Sequence, residues 1–200
     1  MEILNSVSEV HIRQKKEWGE IFSGFHMRNR YEIKDASGQE ICFAEEIGGN
    51  FLTRAFLQSL RPFTLTVLDQ SRQPVLTVKR PFRWYFHEIA VYDGQGVLLG
   101  IVKRRFAWLR RIYHAFDGNG QQIFELFGPI LHPWTFNIMI NGQEAGKITK
   151  RWSGLMKEAF TLADNFGAVF SPSMDTLQKA VVLGAVFLID FVHFEHSKNN

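Results

Sequence analysis

The chain has 200 residues, enough for one well-buried core and at most two small domains. Apolar residues make up 46% and charged residues 22%, which excludes wholesale disorder, and aromatics stand out at 14% with 19 Phe and 5 Trp. The net charge of +3 is unevenly spread: from Lys79 to Arg111 eight basic residues face only Glu88 and Asp93, giving +6, while the rest carries 15 basic and 18 acidic residues, or −3.

Met1-Glu2-Ile3-Leu4-Asn5 has neither the basic nor the apolar part of a leader segment, so a cytoplasmic chain is expected. Val7–Arg13 reads as a strand, and Lys15-Lys16-Glu17-Trp18-Gly19-Glu20-Ile21-Phe22 as a short helix ended by Gly24. Tyr31 to Gly38 is a strand running into a turn. The lone cysteine, Cys42, alternates with Ile41 and Phe43 as inert packing and excludes an internal disulfide.

From here a repeat governs the chain. Turn residues recur at Asp69, Asp93, Asp117 and Asn141, 24 residues apart, and the Tyr31–Gly38 copy precedes them with a ten-residue insertion. Asp93-Gly94, Asp117-Gly118 and Asn141-Gly142 suit hairpins in which both central residues take positive φ. Alternating segments such as Phe63–Val67, Val75–Val78, Phe136–Ile140 and Glu144–Ile148 flank them. A further step of 24 reaches Asn165, which predicts a sixth hairpin turn at Asp164-Asn165. Six hairpins make about twelve antiparallel strands, and a closed barrel is the arrangement that leaves no edge exposed.

The connections between hairpins are unusual for loops. Lys79-Arg80-Pro81-Phe82-Arg83-Trp84-Tyr85-Phe86 and Lys103-Arg104-Arg105-Phe106-Ala107-Trp108-Leu109-Arg110-Arg111 mix cations with large aromatics. Phe51–Leu57 and Phe127–Trp134 are apolar as well. In a meander these connections share one end of the barrel, opposite the tight turns. Cations with Trp suit a membrane–water interface, where indole sits at headgroup level and basic groups meet anionic lipid. The same composition suits stacking on single-stranded nucleic acid, or packing over the barrel mouth. The candidate membrane-binding residues are Lys79, Arg80, Arg83, Trp84, Lys103, Arg104, Arg105, Trp108, Arg110 and Arg111.

The C-terminal run Leu177–Phe194 has an uninterrupted apolar core of ten residues, Ala180–Ile189, whereas a bilayer span takes about twenty. A helix apolar all round but too short to span is expected inside the barrel, with a transmembrane anchor as the alternative. No G-x-S-x-G, P-loop or H-E-x-x-H motif occurs, and the pair His193 and His196 reads as a chain-end feature, so no catalytic residue is assigned.

Several of these segments resemble the phospholipid scramblase family: Tyr31-Glu32-Ile33-Lys34, Arg61-Pro62-Phe63-Thr64-Leu65, Gly146–Gly154, Glu158-Ala159-Phe160-Thr161, Ala163–Gly167 and Phe187–Phe191. The similarity runs in order from about Val10 to Glu195. It implies the Tubby-like fold, a closed barrel around a hydrophobic C-terminal helix, and calcium-stimulated, energy-independent movement of phospholipids between leaflets. The chain departs from the family in two places. Where relatives carry a cysteine cluster for palmitoylation after the Arg-Pro matched by Arg80-Pro81, this chain has Phe82-Arg83-Trp84-Tyr85-Phe86. In the family's calcium segment Asp164 and Asp175 match, but Leu162 and Ser173 replace acids. Calcium takes six to eight oxygens, and a turn role explains Asp164-Asn165 without a metal, so weak or absent calcium binding is expected.

The expectation is therefore one domain over residues 1–200: an N-terminal strand and short helix to residue 30, hairpin repeats over 31–175, and a central helix over 176–195. Functionally, the reading is a scramblase-like protein, peripheral to the cytoplasmic face of a membrane, that binds anionic phospholipids. The alternative is a soluble Tubby-like module that binds nucleic acid or protein and transports no lipid.

Overall fold

The computed structural model describes residues 1–15, 30–47, 62–82, 87–108, 110–150 and 165–193. Residues 16–24 of the expected short helix, together with Arg83, Trp84, Asp164 and His196, lie outside them.

Twelve strands follow in chain order: β1 Glu9–Lys15, β2 Arg30–Asp35, β3 Glu40–Ile47, β4 Phe63–Leu68, β5 Pro74–Arg80, β6 Glu88–Asp93, β7 Leu98–Arg105, β8 Arg111–Asp117, β9 Gln122–Gly128, β10 Thr135–Ile140, β11 Gln143–Thr149 and β12 Asn165–Phe170. Each pairs antiparallel with its sequence neighbour, and β12 pairs with β1 from Glu9↔Val169 to Arg13↔Asn165, which closes the barrel. Period-two alternation builds the wall, because successive side chains point to opposite faces. Val10 and Ile12, Ile89 and Val91, and Tyr113 and Ala115 all face inward and are buried.

Among the described residues there are five tight hairpin turns, and none at Asn165. Asn165 opens β12, and the sixth strand pair forms by closure of β12 on β1. The period of 24 fails there because the connection after β11 is longer than a repeat unit allows.

Four turns share one construction. The Asp35, Asp93 and Asp117 carboxylates each accept from the backbone N–H two and four residues on, and Asp69 accepts from Gln73 N at 2.8 Å. The left-handed residue comes three after the aspartate, as Gly38, Arg72, Gly96 and Gly120. These are type I turns followed by a bulge, so the expectation of positive φ at Gly94 and Gly118 does not hold. Glycine is needed at position 94 for another reason: a Cβ there would lie 2.1 Å from the Pro74 carbonyl oxygen. Only Asn141-Gly142, with φ of 51° and 77°, has the expected two-residue form.

Helix α1, Thr176–His193, runs through the lumen, and Ala180 to Phe191 is buried throughout. Asp175 starts it with a capping box: its carboxylate accepts from Gln178 N at 2.7 Å, and the Gln178 side-chain oxygen accepts from Asp175 N at 3.1 Å. A short 3₁₀ turn, Glu2–Leu4, covers the same end, where Lys179 Nζ donates to the Leu4 and Asn5 carbonyls. Farther along α1, Phe191 stacks on Phe63 with centroids 4.1 Å apart, and Tyr31 Oη donates to Asp190 at 3.3 Å. No described helix is long and apolar enough to cross a membrane.

Candidate functional site

Chain direction gives the barrel two unlike ends. The five tight turns, four of them led by aspartate, lie at one end with the start of α1. The longer connections and the last turn of α1 lie at the other, called here the connection end. Nine large apolar residues are exposed among the described residues. Seven of them, Ile47, Phe82, Phe106, Trp108, Ile130, Leu131 and Trp134, belong to the connection end. Phe106 is 82% exposed, and Trp108 and Leu131 are each 87% exposed.

The β5–β6, β7–β8 and β9–β10 connections are neighbours there, one hairpin apart around the rim. Strand alternation divides the cations between the two faces of the wall. Lys79, Lys103, Arg105 and Arg110 are exposed on the outside. Lys79 Nζ lies 4.9 Å from the Tyr92 ring centroid, Lys103 Nζ lies 6.0 Å from that of Phe116, and the Arg110 guanidinium lies 5.6 Å from that of Phe127. These contacts let the long stems cover apolar wall while the charge stays in water.

Arg80, Arg104 and Arg111 share the inward parity of Val78, Val102 and Tyr113. Arg80 is 2% exposed, so it does not join the outer patch expected of it. Its Nη2 lies 2.6 Å from His87 Nδ1, and its guanidinium lies 6.0 Å from the Phe63 ring centroid. Burial first, then Arg80 and Arg104, push the His87 pKa down to about 4.

Arg111 also departs from the role of a lipid-facing cation. Its Nη1 donates to the Pro133 carbonyl, and its Nη2 donates to those of Pro129 and His132, each at 3.2 Å. The guanidinium lies 4.5 Å from the Phe136 ring centroid. Arg111 thus clasps the β9–β10 connection and sets the pose of Ile130, Leu131 and Trp134.

The cations and the apolar connections, Phe106 and Phe127–Trp134 among them, were legible in the sequence, but the inward His87 was not. His87 could have been found by stepping back two residues from the inward Ile89.

Of the two calcium candidates only Asp175 lies among the described residues, where it is the helix cap at the tight-turn end. The described residues hold no group of three or more His, Cys, Asp or Glu able to ligate a metal. Burial, together with Asp69, raises the Cys42 pKa to about 11, which leaves the thiol unreactive.

Comparison with known proteins places this architecture. A solved Arabidopsis thaliana protein of the Tubby-like type superposes with a TM-score of 0.52 over 91% of both chains at 16% identity, a likeness of fold alone. Phospholipid scramblase 1 of Rattus norvegicus is 35% identical over 213 aligned positions, covering 100% of this chain and 63% of its own length. Phospholipid scramblase 1 of Homo sapiens is 34% identical and is spanned over 65% of its length; human phospholipid scramblase family member 5, also 34% identical, is spanned over 78%. The Scramblase family model matches residues 1–196, and on that match and these identities the chain belongs to the scramblase family.

Proposed function

We propose that the connection end docks on an anionic phospholipid bilayer and that the protein promotes movement of phospholipids between leaflets without energy input. The placement of seven of the nine exposed large apolar side chains at that end, among outward cations, carries this reading. Monomeric surfaces seldom gather apolar groups in this way unless something covers them. Membership of the scramblase family favours a lipid surface over nucleic acid. The lumen is filled by α1, so transfer would take place where the rim disturbs the leaflet and not through the barrel.

Each outward cation near an anionic surface contributes about 1 kcal/mol, screened over a Debye length of roughly 8 Å. Lys79, Lys103, Arg105 and Arg110 together would give about 4 kcal/mol, which supports reversible docking. Phe106, Trp108, Ile130 and Leu131 would supply apolar contact that salt does not screen. Calcium, if it acts at Asp175, would share its carboxylate with the Gln178 N–H of the helix cap.

The test is co-sedimentation with anionic vesicles, read beside a leaflet-specific fluorescent lipid assay with and without calcium. Replacing Lys103, Arg105 and Arg110 together with Glu should abolish binding below about 0.15 M salt and leave the fold intact, since all three are exposed. Trp108→Ala with Leu131→Ala should remove the binding that survives high salt, and lipid transfer with it. Normal vesicle binding by both variants would defeat the reading.

A further inference from the structure

The inward cations at the connection end are not accounted for by docking through the outer rim. Arg80, His87 and Arg104 sit side by side on β5, at the entry to β6 and on β7. The Arg104 backbone N–H donates to the His87 carbonyl at 2.9 Å, and His87 Nδ1 meets Arg80 Nη2 at 2.6 Å. A guanidinium only donates, so this contact makes Nδ1 the acceptor and leaves the ring proton on Nε2. Tyr113, the cross-strand partner of Arg104, puts a buried phenol on the next strand.

Arg104 is half-buried and takes part in none of the ion pairs formed among the described residues. Its neighbours are a second guanidinium and a donor imidazole, with the exposed Phe106 and Trp108 two and four residues on. A cluster this rich in donors suits a compact oxyanion that offers several acceptors at once. A carboxylate offers two oxygens in one plane; a phosphate offers more, in a tetrahedron, and carries more charge against the Arg104 fork.

We propose that Arg104, backed by Arg80 and the neutral His87, forms a phosphate-binding site in the mouth of the barrel. A lipid headgroup as the source of that phosphate rests on the docking reading above; the site itself does not.

The test compares two adjacent arginines of equal charge on opposite faces of the wall. The ring signals of His87 are followed by NMR at pH 7 while inorganic phosphate replaces chloride at constant ionic strength. Wild type should give a saturable shift. Arg104→Gln should weaken it at least tenfold, and Arg105→Gln should leave it unchanged. Should Arg104→Gln fail to fold, Arg104→Lys, which keeps the charge but not the fork, should still weaken binding several-fold. No saturable shift in wild type, or equal loss in both variants, overturns the site.

A second arm uses phosphatidylcholine vesicles doped with phosphatidic acid or, at equal surface charge, oleic acid. A preference for phosphatidic acid that Arg104→Gln removes identifies the lipid headgroup as the source. A shift with inorganic phosphate but no such preference identifies free phosphate. Wild type that ignores both vesicles yet keeps the shift defeats the docking reading and leaves the site standing.

Discussion

His87 lies between two guanidinium groups on the inner wall, and its protonation state follows from that position. Arg80 contacts its Nδ1, Arg104 approaches from β7, and Tyr113 and Arg111 stand on the next strand. With the folded value near 4 and the ordinary value at 6.5, the unfolded chain binds more protons between these limits. The His87 contribution to stability is therefore full above about pH 6.5 and falls as pH drops toward 4, by up to about 3 kcal/mol. We expect the denaturant midpoint to fall from pH 7 to pH 5, before most carboxylates titrate, and His87→Gln to flatten that fall. A wild-type midpoint that stays constant over this interval would show that His87 is not held neutral. The same residue scale explains what the sequence hides. In Lys103-Arg104-Arg105 three like charges stand in a row, with no contrast in polarity to say which faces the lumen. Only the register carried forward from the inward Val102 sorts them, and it assigns Arg104 to the mouth and its neighbours to the rim.

Among the elements, α1 shows how a run of apolar residues is read by its surroundings. Eighteen residues rise about 27 Å, and the helix is enclosed by the twelve-stranded barrel. At Gly184 α1 packs tightly on the wall: a Cβ there would lie 2.4 Å from Val91 Cγ2 and 3.2 Å from Ile89 Cδ1. Gly184→Ala should raise helix propensity by about 1 kcal/mol yet destabilise the protein by about 1–3 kcal/mol net, because Val91 is β-branched and its closed wall cannot yield. A thermal midpoint at or above wild type for Gly184→Ala would count against this packing. The barrel and its helix were legible because hydropathy alternates along strands such as β1, β6 and β10 and is continuous along the middle of α1. The turn count was less so. Asp117-Gly118 and Asn141-Gly142 look alike in sequence, yet the first starts a bulged turn whose left-handed residue is Gly120. A carboxylate such as Asp175 reads the same in sequence whether it caps a helix or binds an ion, so its reciprocal bonds with Gln178 emerge only in the fold.

At the scale of the whole molecule, the barrel is polar in both senses of the word. One end carries Asp35, Asp69, Asp93 and Asp117 in its turns, while the other carries the outward cations and most of the exposed apolar side chains. Such a body has one favourable orientation on a negatively charged surface, because the same rotation that brings Arg105 and Arg110 toward the lipid carries the four aspartates away from it. Loss of one end's contact cannot be offset by rolling onto the other, since acidic turns are repelled by anionic lipid. Trp108 and Trp134 should therefore enter the acyl region or its border when vesicles bind, and brominated lipids should quench their fluorescence. A fluorophore attached through Gln95→Cys, in the β6–β7 turn at the far end, should remain in water and respond only to soluble quenchers, with the buried and unreactive Cys42 leaving the attachment selective. Equal lipid quenching at both ends would mean that the barrel lies on its side. In that case the outer wall around Lys79 and Lys103 would be the docking surface in place of the rim.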